Sequence, residues 1–505
     1  MSTKEVTTLR KAGKLIEAES LALTLLEQEP DNIWNKRAAA WVYYDFLKQN
    51  DQAQDKEAYL NYLHKVYELQ LTNDEDLFFK NIVYSISAFI HSLAKEPNNH
   101  YNAVNQVFNY LTYFHFNTSL DEYSMLLQAF LKFKDWNGFG NFVRWWDLKN
   151  LNPKDFESTE YNGRSMMSLA EKAHAAYCKS LLKGDLAIVN GFVGGEYVVN
   201  PQKIRDYLPM LDQLISEHPN YKYSLYYKAK LLLEIKEYTK AVDALLPFAL
   251  QKQNDSWVWS LLADAFNDQP QLQIACNCKA LTLKSKPAFL INTRLHLAQL
   301  LIDAQHYDKA KFEIETIIKV RQQNNWSVDK EVTALTQQSW YANTQATTDN
   351  TSFYHEHKKL AQDLLYKDIP NTQIVVTYVN PSKHMLNFID EQKNQGFFKY
   401  QGLIKNPKIG GVLNVKFTDQ KDQFYKAAYL EPVAVMPTDS KVVKKFEGLL
   451  RQKTPGSFGF IDDVFISPKI LDKTQYTDQD QVSGIAVKSF NKRKNEWGWS
   501  ALSLN

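Results

Sequence analysis

Over roughly the first 370 positions apolar residues recur every three or four places, and from there to the end every second place. The first period marks a helix face and the second a strand face. Alanines set the register of the helical part. Ala229, Ala263 and Ala298 stand 34 and 35 apart, and Ala241, Ala275 and Ala310 each follow by twelve. Leu232, Phe266 and Leu301 come three after the first alanine of each pair, and Tyr238 and Tyr307 three before the second. Small residues suit the close crossing of two helices, and large ones suit contact with the next pair. The period predicts stacked helical hairpins from Tyr221 to Gln323.

The same grammar opens the chain. Gly13-Lys14-Leu15-x2-Ala18 leads through Leu25-Leu26 to Pro30-Asp31-Asn32, and Trp34 to Lys48 reads as the next helix. From about Asp55 to Asn220 the period degrades. Amphipathic helices are still predicted at Glu57 to Gln70, Asp76 to Leu93, Asn102 to Phe114, Asp121 to Phe133, Met166 to Leu182 and Pro201 to Glu217. The stripe Phe139, Phe142, Trp145-Trp146 has helical spacing and reads as core. Gly191-Phe192-Val193-Gly194-Gly195 lacks the Gly-Lys-Ser/Thr of a phosphate loop. Its flanks, Ile188-Val189 and Tyr197-Val198-Val199, predict a small connecting hairpin. Trp259-x2-Leu262-Ala263-x2-Phe266 resembles the first helix of a tetratricopeptide repeat.

Ala342 to Ser352 is polar and reads as the end of the solenoid or a linker. Phe353 to Lys367 is one more helix, broken at Ile369-Pro370. Five short strands then follow between Thr372 and Leu430, the count of an OB barrel. Its aromatics Tyr378, Phe388 and Phe398 are open to two readings, ligand-facing or core. Glu431 to Val443 links this barrel to the last stretch.

In that stretch, Ser457-Phe458-Gly459-Phe460-Ile461-Asp462-Asp463-Val464-Phe465-Ile466 reads as strand, turn and strand. Phe458 and Phe460 leave the same face, Gly459 keeps the other face small, and Phe465 can return to the first face. Three aromatics on an open sheet face suit the stacking of unpaired bases. Phe458-Gly459-Phe460-Ile461 followed by Asp463-Val464-Phe465-Ile466 resembles the two RNA-binding motifs of cold-shock-type OB domains. Glu447 to Leu450 looks like that family's first strand, Gln481 to Val487 like its fourth and Trp497 to Leu502 like its last. The chain departs from the family at Arg451-Gln452-Lys453, where a Lys-Trp-Phe aromatic is usual, and at Ser467, where a histidine often stands. Ile466-Ser467-Pro468 is closer to the cold-shock domains of exoribonucleases and of bacterial conflict-system proteins. The whole order resembles bacterial proteins that join tetratricopeptide repeats to the cold-shock-like domain of TOTE-type conflict systems. That resemblance implies a role in defence or stress against foreign nucleic acid.

Charge adds to this picture. The chain of 505 residues carries a net +2, but from Asn371 onward 19 Lys and Arg face 13 Asp and Glu, leaving the body at −4. A basic excess on the OB-like part suits a polyanion. Arg451, Lys453, Lys488, Lys492, Arg493 and Lys494 flank the aromatic strands. Trp497 and Trp499 share a strand face, as binding surface or as core. The polar start, the lack of a long apolar run and three cysteines lead to the expectation of a cytoplasmic protein without membrane spans or disulfides.

Catalytic patterns are weak. His355 and His357 are two apart on a helix and fall on different faces. Cys276 and Cys278 lack a second pair and read as buried thiols. Asp462-Asp463 is a turn pair.

These readings predict an α-solenoid of tetratricopeptide-like hairpins at 1–367 and two small OB-type β-barrels at 371–433 and 441–505. The expected function is that of a non-enzymatic adaptor without metal or cofactor. Single-stranded RNA, or DNA, would bind at Phe458, Phe460, Phe465, Arg451, Lys453, Lys488, Lys492, Arg493 and Trp497, and a protein partner would bind on the solenoid. The alternative is a scaffold whose barrels only bind protein.

Overall fold

A computed structural model describes residues 2–505 except Asn73, Asn162, Asn190, Gly191, Lys222, Val435, Met436, Thr438, Pro455, Lys492 and Arg493. The described chain is helical first and β-rich last, and it divides into two compact units, 1–350 and 351–505.

In the first unit, consecutive helices pack as hairpins: Ser224–Glu234 with Tyr238–Gln251, Ser256–Ala265 with Pro270–Leu281, and Ile291–Asp303 with Tyr307–Gln323. Both alanine columns sit at the crossings. Ala229, Ala263, Ala298, Ala241, Ala275 and Ala310 are all 0% exposed, because a larger side chain would hold the backbones apart. Leu232, Phe266 and Leu301 are buried as well. Where the period degrades the plan changes: alternate helices pack, Lys56–Glu68 with Tyr101–Leu111, Asp76–Leu93 with Tyr123–Phe130, and Leu169–Lys183 with Ser224–Glu234, and the filling is aromatic. Phe139, Phe142 and Trp146 are buried, Phe130 stacks on Phe142 at 4.0 Å, and the Trp146 indole N–H donates to the Tyr123 carbonyl at 3.1 Å. Two strand pairs interrupt the helices: β1 (Thr159–Tyr161) with β2 (Arg164–Met166), and β3 (Asp185–Val189) with β4 (Phe192–Val198). The second pair is the hairpin expected around the glycine cluster, while the first had no signal in its polar sequence.

The polar stretch after Ala342 is pinned to the helix Tyr307–Gln323. Lys311 Nζ donates to the Tyr341 and Thr344 carbonyls at 2.9 Å each. Asn350, 1% exposed, donates to Glu313 at 2.7 Å, and Glu313, itself fully buried, accepts from Arg294 at 2.5 Å. A buried carboxylate needs such partners, so this stretch completes the polar accounting of the last hairpin.

The second unit begins with helix Thr351–Leu365, which is tied to the first barrel. Lys416 Nζ donates to the Tyr366 carbonyl at 2.5 Å, and Lys359 pairs with Glu431 at 3.2 Å. That barrel closes in the order β5 (Asn371–Asn380), β6 (Met385–Asp390), β7 (Gln395–Lys399), β9 (Phe424–Pro432), β8 (Val412–Lys421), with β8 pairing back to β5. Phe388 and Phe398 lie in its core with Ile374, Val376 and Leu413, whereas Tyr378 is 52% exposed.

The last barrel is a six-stranded sheet: β10 (Val443–Leu449), β14 (Gln481–Asn491), β15 (Glu496–Leu504), β13 (Val464–Ile466), β12 (Gly459–Ile461) and β11 (Arg451–Gln452). Strands β10 and β11 are halves of one bent strand, broken at buried Leu450, so the chain itself joins the two ends of the sheet. β13 runs parallel to β15, as β7 does to β9 in the first barrel.

The two barrels share an apolar interface. Val375, Ile389 and Val412 of the first meet Val442, Val443 and Val487 of the second, with Ile485, Trp497 and Leu502 packed alongside. Glu391 adds polar contacts, accepting from the Ser440 hydroxyl at 2.5 Å and from the Lys441 N–H at 3.0 Å.

Candidate nucleic-acid interface

Strand alternation builds the site. Ile461, Val464 and Ile466 point into the last barrel, so Phe460 and Phe465 between them point out. Phe460 faces Phe465 across the β12–β13 pair, and Gly459 faces Ile466. A Cβ at Gly459 would come within 2.7 Å of Leu450 Cδ1, so a larger residue there would push buried Leu450 aside. Asp462 turns the chain at φ 49°, a left-handed conformation that Asp tolerates.

The three phenyl rings form a triangle. Centroid distances are 5.8 Å for Phe458–Phe460, 5.7 Å for Phe458–Phe465 and 5.6 Å for Phe460–Phe465. Phe458 is 49% and Phe460 41% exposed, and Phe465 is half-buried beneath them. Edge-to-face contact holds each ring in place while leaving apolar surface toward solvent. Arg451 faces Phe460 in register from β11 and is exposed, as is Lys453 beyond it. The β11 edge is fixed by the Gln452 N–H donating to Asp478 at 2.8 Å and by its side-chain amide donating to the Ser457 carbonyl at 2.8 Å.

The other candidate residues lie elsewhere. Lys488 sits over the Trp499 ring at 4.3 Å. Lys444, to which the sequence reading gave no role, lies over the same ring at 4.7 Å and donates to Asp463 at 2.6 Å. That hydrogen bond, reinforced by the charges of Lys444 and Lys488, holds the Asp463 carboxyl below its usual range. Trp499 itself packs on the barrel core. Trp497 packs at the interface between the barrels, 5.4 Å from the Phe490 ring, with Lys393 over it at 5.5 Å. Lys492 and Arg493 lie outside the described residues. The structure thus brings together Phe458, Phe460, Phe465 and Arg451, with Lys453 adjoining; the charge of Lys488 reaches Asp463 in the turn of the same hairpin, and Trp497 lies at the interface between the barrels. Lys444 was legible only as a lysine two residues before Phe446 on the same strand face, a signal too common to single it out.

In the first barrel the comparable cluster, Phe388, Phe398 and Phe417, is turned into the core, and no exposed triangle stands among its described residues. The outward residues of its β6 are Met385, Asn387 and Ile389, and Ile389 is spent on the interface with the second barrel. Its exposed aromatics are Tyr378 and Phe424, the latter 5.8 Å from Phe397.

Among the described residues no group of three or more His, Cys, Asp or Glu could hold a metal ion. Nor is any described helix long and apolar enough to cross a membrane. Burial raises the thiols of Cys178, Cys276 and Cys278, the first to about 12, which keeps them protonated and poor nucleophiles.

Comparison with known families defines the class of the two barrels. Residues 366–428 match S1/CSD-like domain 1 of the TOTE conflict systems, and residues 444–504 match S1/CSD-like domain 2 of the same systems. The Phe458–Phe460–Phe465 triangle thus stands on an S1/CSD-like domain. Residues 222–361, which contain the clear repeats, match a domain of unknown function (DUF7017). No curated protein matches the chain.

Proposed function

We propose that the protein is a non-enzymatic adaptor. In this reading the second barrel binds single-stranded nucleic acid, with RNA favoured, and the helical unit holds a protein partner. The observation that carries the reading is the ring triangle, with two rings more than 40% exposed beside Arg451. Exposed phenyl faces next to a cation are what an unpaired base and its phosphate require. Unpaired strands are favoured because a base inside a duplex cannot offer its face to a ring. The S1/CSD-like class of both barrels supports the reading, and so does its conflict-system setting, which fits a role against foreign nucleic acid in a bacterium.

The barrels' shared apolar interface favours the two acting as one body, with the second making the base contacts. The test is to purify the protein without nuclease, extract what travels with it, and treat the extract with RNase or DNase. RNase-sensitive material of single-stranded character is expected. Protein free of nucleic acid at low salt would remove the nucleic-acid half and leave a protein-binding scaffold.

A further inference from the structure

The helical unit contains a groove of about 980 Å³ that the ring triangle does not use. It runs over the helices Tyr123–Phe130, Leu169–Lys183 and Ser224–Glu234, alternate members of the helical series. Lys132, Lys134, Lys172 and Lys179 line it, and all four are exposed. Among the described residues none of these four ammonium groups has a carboxylate partner. Such a concentration is notable because the chain before Asn371 carries a net −4. Lys172, Ala175, Ala176 and Lys179 share one face of their helix, so the two alanines keep the floor low between two cations. Leu131, Met166, Met167 and Tyr227 add apolar surface to the lining, with Met166 42% exposed, and His91, Gln128, Thr159 and Ser168 are its uncharged polar members.

The acidic residues of the lining do not neutralise these lysines. Asp155 accepts from the Ser124 hydroxyl at 2.6 Å and from the Asn152 N–H at 2.9 Å, so it serves the local turn. Glu157 is exposed, and none of the four lysines pairs with it. The remaining lining lysine, Lys154, is held by Asp121 at 2.7 Å.

We propose that this groove binds an acidic, amphipathic segment of a partner protein, with Leu- or Met-sized side chains on the floor and carboxylates at Lys132, Lys134, Lys172 and Lys179. The inference rests on the reading of the helical unit as protein-binding and gives that partner its chemistry. A peptide fits better than a nucleic acid. Besides Tyr223 and Tyr227 the apolar part of the floor is thioether and aliphatic, which suits Leu- or Met-sized side chains better than a run of stacked bases. Cations around an apolar floor fix orientation and select against basic or neutral segments.

The experiment uses the full chain and three fluorescein-labelled twelve-residue peptides: alternating Glu and Leu, alternating Glu and Ser, and alternating Gln and Leu. A labelled single-stranded oligonucleotide is run in parallel. The Glu–Leu peptide is expected to bind at 0.15 M salt, at least about ten-fold tighter than the other two, since the Gln–Leu peptide lacks its charge pairs and the Glu–Ser peptide lacks its apolar contacts with the floor. Lys172→Glu with Lys179→Glu should cost about ten-fold or more for that peptide and leave oligonucleotide binding unchanged. Both lysines are exposed, so an unchanged melting temperature will certify the fold. Met166→Ser should weaken the peptide several-fold. Equal binding of the Gln–Leu peptide, with the lysine variant indifferent, would overturn the acidic chemistry and leave a protein-binding helical unit. Loss of oligonucleotide binding in the lysine variant would overturn both. Absence of any peptide binding, or equal binding of the Glu–Ser peptide, would overturn the proposal.

Discussion

Single positions carry much of the account. Ala263 lies at a helix crossing with no exposed surface. Ala263→Leu should overpack that crossing and cost about 1–3 kcal/mol, read from chemical denaturation. An unchanged midpoint would refute the assigned register. His174 makes a different prediction. It is buried with its Nδ1 2.7 Å from the Tyr207 hydroxyl, and burial, helped by the charge of His218, lowers its pKa to about 4. The folded value lies below the unfolded one, so the unfolded chain takes the proton first as pH falls. The effect is nil above about pH 6.5, where His174 is neutral in both states, and destabilises the fold progressively toward pH 4, by about 3 kcal/mol. His174→Gln, which keeps a partner for Tyr207, should flatten that part of the stability–pH curve. A parallel curve would place the acid sensitivity elsewhere.

At the scale of elements, sequence was most informative where one spacing served one purpose. The alanine columns gave the hairpins because close crossings tolerate nothing larger, and both columns are fully buried. The five strands from Asn371 to Pro432 were readable from alternation, and Phe458-Gly459-Phe460 from one glycine between two outward rings. What stayed hidden depends on contacts distant in sequence. Phe388 and Phe398 could not be assigned to core or surface until β6 and β7 were paired in a closed barrel. Trp497 alternates like a platform residue, yet it packs at the interface with the first barrel, whose approach alternation does not encode. The polar stretch after Ala342 resembles a linker, but Asn350 answers a buried carboxylate 37 residues earlier. That stretch should resist proteolysis. The link near Glu431–Val443 should also hold in the native protein, because Val442 and Val443 are buried between the barrels. Limited proteolysis is expected to leave both barrels in one fragment. Val443→Asp, which puts an unpaired charge into that interface, should release them separately. Separate barrels from the unaltered chain would mean that the interface does not hold them.

For the whole molecule, the central claim is that an apolar, cation-flanked surface on the second barrel binds unpaired nucleic acid. Fluorescence anisotropy with single- and double-stranded probes at several salt concentrations tests it most directly. The single strand should bind more tightly, with little sequence preference, since every base has a face to stack. Stacking contributes about 1–3 kcal/mol per base, so Phe458→Ala should weaken binding about five-fold or more without unfolding the barrel. Arg451→Ala should reduce the salt dependence by about 0.7 for one lost phosphate contact and leave base preference alone. Binding of the single strand that falls with Phe458→Ala is the predicted result. Failure of the unaltered protein to bind any single-stranded probe at low salt, or binding indifferent to Phe458→Ala, would contradict the account.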